Sequence, residues 1–166
     1  MEILTTFGTV LNAFARIAGL FRQERSSNKE WDPNENDQNA AWEMYVEMAT
    51  RITTQQLPLE HGDEKIALDS VYSLFPTTRD VLIKHGRNCK TFPILAIKIL
   101  NQVVRPFTEK WHRRSLEGDF EQEITCLMFR SELESLQEVL REYMQVLAKM
   151  AGVEDFADLT DVPEES

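Results

Sequence analysis

At 166 residues and 19.3 kDa, the chain suits one domain with room for a separate terminal element, and it can bury a core without covalent staples. A 42% apolar share excludes a wholly disordered chain. The formal charge of -10, from 28 acidic against 18 basic side chains, argues against broad phosphate-backbone binding, which needs clustered Lys and Arg.

Helical periodicity dominates in chain order, and no segment alternates as a strand would. The first expected helix runs from about Glu2 to Glu24. Ile3, Phe7, Val10, Phe14, Ile17 and Phe21 repeat there at spacings of four and three, an a/d seam. Six such side chains represent on the order of 10 kcal/mol of gross burial. That stripe therefore needs a covering surface. The polar face carries few of the Lys and Arg residues that membrane-surface helices use, so protein suits the stripe better than lipid. Residues 26–38 are polar apart from Trp31 and read as a linker.

A second helix is expected from Asp37, as N-cap, to Thr54. Trp42, Tyr45, Ala49 and Ile52 line its inner face, with Met44 and Met48 beside them. Asp63 caps a third helix whose apolar side is Ile66, Val71, Leu74, Phe75, Leu82 and Ile83. Pro76 should kink or break it before a stop at His85-Gly86. A fourth opens at Thr91 with Pro93 in its first turn, and Pro106 interrupts it. Arg113 to Gly118 reads as a turn. The last helix is expected from Asp119, with Gln122 completing a capping box, to a stop at Gly152. Its stripe is Cys126, Phe129, Leu133, Leu136, Leu140, Tyr143, Leu147 and Met150. The tail, 153–166, carries six acids and no base; one docking turn at Val153, Phe156 and Leu159 precedes a disordered end beyond Thr160. The fold class is thus all-α: an antiparallel bundle of four main helices over 39–152, with an amphipathic N-terminal helix, 1–25, on a polar tether.

Cys89 and Cys126 lie far apart without a CxxC, which fits two reduced thiols in a cytoplasmic protein. Met1-Glu2 lacks the basic start of a signal peptide, and no stretch approaches the ~18 uninterrupted apolar residues of a membrane span.

The chemistry-bearing motifs are sparse. There is no glycine-rich phosphate loop, no GxSxG and no HExxH. Glu109 and His112 have the Glu-x-x-His spacing of di-iron bundles, but no second pair accompanies them, so no metal and no cofactor is expected. Arg51, Arg79, Arg105 and Arg130 sit beside apolar residues within helices. Converging, they would hold a small anionic ligand such as a nucleotide. Dispersed, they would pair with Glu43, Glu47, Asp80 and Glu132.

Arg105 and His112 resemble the Arg-x(4–6)-His signature of HEPN-type ribonucleases, small helical dimers. The resemblance implies a metal-independent ribonuclease, with His112 in acid-base chemistry and Arg105 on the phosphate. Pro106 departs from that pattern. Three further stretches, NAAWEMYVEMATRITTQ, LNQVVRPFTEKWHRR and FRSELESLQEVLREYMQVLAKMAGV, resemble an uncharacterised bacterial family of small all-helical proteins with an LNxxxRPFxxKWH segment. That resemblance implies no catalytic residues and a setting in bacterial conflict or antiviral systems.

The residues together point to a non-enzymatic interaction or regulatory protein, self-associating or docking to a protein partner. A nuclease using Arg105 and His112, and an anionic-ligand sensor using the four arginines, are the alternatives. Nucleic acid is not the expected partner, and a membrane surface at residues 2–24 is not favoured.

Overall fold

The computed structural model describes residues 32–51, 57 and 63–156. The chain divides into two compact units, Met1–Asp32 and Pro33–Ser166. The expected first helix, its seam of Ile3, Phe7, Val10, Phe14, Ile17 and Phe21, and the end of the acidic tail lie outside the described residues.

The fold is all-α, with no strand among the described residues. Helix α1 (Glu35–Ala49) is followed by α2 (Glu64–Tyr72), α3 (Leu74–His85), a 3-10 turn at Gly86–Asn88 and α4 (Phe92–Ile99). A wide π turn (Leu100–Val104) continues directly into α5 (Arg105–Leu116), and a 3-10 turn at Asp119–Glu121 leads into the long α6 (Glu123–Ala151). The most extensive packing is that of α1 on α6. Contacts between α1 and α3 run in opposite order along the two helices. Glu43 meets Lys84 and His85, whereas Arg51, past the end of α1, meets Ser73 and Thr77.

The stripe expected on α6 is buried from Phe129 to Met150, with Cys126 half-buried at its start. Val139, Met144, Val146 and Ala148 are buried too, so α6 is covered over far more than a narrow seam. It ends as expected. Gly152 adopts φ 70°, which glycine tolerates without a Cβ clash, and Val153 N–H donates back to the Ala148 carbonyl at 3.0 Å.

Several expectations need correction. Helix α1 begins inside the supposed linker. Asn34 is its N-cap, and Asp37 is the third helical residue of a reciprocal capping box: each side chain accepts from the other's N–H. Its inner face is Ala40, Ala41, Met44, Tyr45 and Met48, while Trp42 faces outward and stacks on Tyr45. The third helix breaks at Ser73. Pro76 has no N–H to give the Tyr72 carbonyl, so the ladder restarts three residues before it. Ala67, Leu68, Val71, Leu74, Thr78 and Val81 form the buried row, which leaves Ile66 and Ile83 on the surface. Thr78 holds its place by donating to Met44 Sδ at 3.7 Å. Pro106 does not end its helix; the preceding π turn takes up the mismatch, and Arg105 N–H donates five residues back to the Leu100 carbonyl. The capping box at the start of α6 is absent. Asp119 pairs with Arg114 at 2.7 Å, and Gln122 is an N-cap without a side-chain bond.

Two internal sites hold these helices together. Asp37 is fully buried, and its carboxylate accepts from the N–H groups of Lys90 (3.1 Å), Thr91 (2.9 Å) and Phe92 (2.8 Å), as well as Asn34. Helix α4 has no cap of its own from Thr91, so α1 supplies the anion that its N-terminus needs. At the other site, Trp111 is fully buried among Phe107, Phe120 and Phe129. Its Nε1–H donates to buried Glu132 at 2.9 Å, and Lys110 completes that carboxylate's shell at 2.5 Å. The Tyr143 hydroxyl is buried without a hydrogen-bond partner among the described residues.

Candidate functional site

Helix α5 carries the residues with the clearest chemical potential. In an acidic protein it holds Arg105, Lys110, Arg113 and Arg114 against Glu109 alone. Lys110 and Arg114 are committed inward, to Glu132 and Asp119, and both cations also lie over the Trp111 ring. Arg105 and His112, seven residues apart, point to one face of α5. Both lean on an aromatic pair at the α2–α3 break. The Arg105 guanidinium lies 5.1 Å from the Phe75 centroid, His112 meets Tyr72 edge-on at 5.0 Å, and Tyr72 touches Phe75 at 5.6 Å. Arg105 is also held along its own helix by Asn101 at 3.1 Å and Glu109 at 3.8 Å.

The four candidate ligand arginines have separate surroundings. Arg51 pairs with Glu47 and donates to Ser73 and Thr77. Arg130 pairs with Glu64 at 2.7 Å and reaches the Leu57 carbonyl. Arg105 belongs to the Phe75 face, and Arg79 is exposed on α3. Of the acids named as their partners, only Glu47 takes one of these arginines at ion-pair distance among the described residues. Glu43 instead joins Lys84 at 2.7 Å and His85 at 2.9 Å. Hydrogen bonds from Lys84 and His85 hold the Glu43 carboxyl below its ordinary range. No group of three or more His, Cys, Asp or Glu is placed to hold a metal among the described residues.

Both cysteines are free and half-buried. Burial, with the Asp37 carboxylate nearby, pushes the Cys89 thiol up to about 11, and burial also raises Cys126. Near neutral pH both are therefore protonated thiols rather than nucleophiles. No described helix is long and apolar enough to cross a membrane.

What the sequence reading missed is the exposed apolar surface of the helical body. Trp42 and Val46 sit one turn apart on α1, Ile94 and Ile97 on α4, and Ile124 and Leu127 on α6. Phe156 is exposed as well; its N–H donates to Tyr45 Oη at 2.5 Å, while the Tyr45 hydroxyl donates to Asp155 at 2.9 Å. The signal was present in α4, whose FPILAIKI run has Lys98 as its one polar residue; a helix at the surface must leave some of that apolar surface in water. Compared with known protein families, with curated proteins and with solved structures, the chain matches none.

Proposed function

We propose that the protein is a non-enzymatic interaction protein, an adaptor or regulatory subunit. It self-associates through the apolar stripe of residues 3–21 and docks a partner on its helical body. One observation carries the reading: large apolar side chains stand exposed in pairs three or four residues apart on α1, α4 and α6, the spacing by which one helix is read by another. Burial of such surface is the dominant favourable term in association. A reducing, cytoplasmic setting accompanies this reading, supported by two free cysteines. The antiviral setting rests on the family resemblance alone.

Light scattering on the full chain tests the reading. The expected mass exceeds the 19.3 kDa of one chain and returns to it in the Phe7→Asp/Phe14→Asp double variant. A wild-type mass of one chain at every concentration would overturn self-association.

A further inference from the structure

Residues 81–108 contain no Asp or Glu, yet they carry Lys84, Arg87, Lys90, Lys98 and Arg105, in a chain whose formal charge is -10. Helix α4 lies within this stretch. Its buried side is Phe92, Leu95, Ala96 and Ile99. On its outer side, Ile94 is 55% exposed and Ile97 is 47% exposed. Lys98 continues the same face at i+4 from Ile94, and exposed Lys90 lies just before the N-cap, Thr91, at the start of the helix.

Most of the other cations near helix faces are already paired. Lys65, Lys84, Lys110, Arg51, Arg105, Arg114 and Arg130 each have a carboxylate within 4.0 Å. Lys90 and Lys98 have no such partner among the described residues. The α4 face is thus an apolar ridge with a lysine toward each end, neither in an ion pair among the described residues.

We infer that this ridge is a docking surface for a partner protein's amphipathic helix whose apolar stripe is flanked by Asp and Glu. The inference rests on the interaction reading above and adds the surface and the chemistry of its occupant. Charge complementarity selects the partner: acidic flanks would meet Lys90 and Lys98, while the isoleucines pack into the grooves of the incoming helix. A two-fold contact with a second copy would set the same lysines against each other. A lipid surface asks for a broad apolar face, whereas α4 is packed on its inner side and offers a single ridge.

Fluorescence anisotropy of the full chain with a labelled synthetic peptide helix, a leucine stripe flanked by Glu, tests this directly. A twin with Lys in place of Glu is the control. The acidic peptide is expected to bind, to weaken about tenfold or more on Ile94→Ser/Ile97→Ser, and to weaken with added salt and on Lys90→Glu/Lys98→Glu. All four positions are at or near the surface, so thermal melts of the variants should match wild type. Failure of the acidic peptide to bind, equal binding of the Lys twin, binding indifferent to both variants, or displacement by anionic vesicles would each overturn the inference. A chain that self-associates in light scattering yet ignores the peptide loses this inference alone.

Discussion

Replacing Asp37 by Asn is expected to destabilise the protein by about 3 kcal/mol at neutral pH, measured by chemical denaturation. The carboxylate is fully buried and accepts from four backbone N–H groups, three of them at the start of α4. Asn keeps the shape, but it turns one acceptor into a donor that faces other donors, and it removes the negative charge from the N-terminus of α4. Burial by itself pushes this carboxyl upward. The bonds from Phe92, Thr91, Lys90 and Asn34 outweigh it, and the folded-state value lies below the ordinary 3.8. A depressed carboxyl contributes stability that is fully present above its unfolded value and is lost as pH falls through the folded one. The gap between wild type and Asp37→Asn should therefore be constant near neutrality and narrow on acidification below about pH 4. A gap that widens in acid, or a variant as stable as wild type at pH 7, would contradict the assignment.

Trp111→Ala should cost about 4–5 kcal/mol, at the upper end for a buried aromatic. The ring is in contact with three phenylalanines, lies beneath the cations of Lys110 and Arg114, and donates to Glu132. Its removal opens a cavity between α5 and α6 and takes a hydrogen bond from a buried carboxylate. Trp111→Phe separates the two effects. It keeps most of the ring but leaves Glu132 Oε2 without that donor, for a loss of about 1–3 kcal/mol. Denaturation curves for the two variants check the order. An alanine variant within about 1 kcal/mol of wild type would show that this cluster is not a keystone of the fold.

The two sites differ in how far the sequence reveals them. The α6 stripe was legible because its leucines, aromatics and Met150 recur every three or four residues, and tertiary packing kept that register. The burial of Glu132 was not legible, because burial of a carboxylate depends on donors from another helix, here Lys110 and Trp111. Asp37 looked like an ordinary N-cap, and its principal partners lie more than fifty residues further on. Counting apolar residues placed Ile66 and Ile83 inside and passed over Thr78, whose hydroxyl is satisfied by Met44 in the core. Pro76 and Pro106 look alike in sequence. One lies just past a break in its helix and the other is absorbed by a π turn, a difference the sequence around them does not show. Whether four arginines converge is a tertiary question, and the carboxylates that meet Arg51 and Arg130 answer it separately for each.

What the proposal asserts above all is that residues 3–21 present a contact stripe to another copy of the chain. Hydrogen exchange of the full chain over a concentration series tests it most directly. Amides in 3–21 are expected to exchange more slowly as concentration rises, while those of α6 stay equally protected throughout. Exchange in 3–21 that is fast and indifferent to concentration would contradict it.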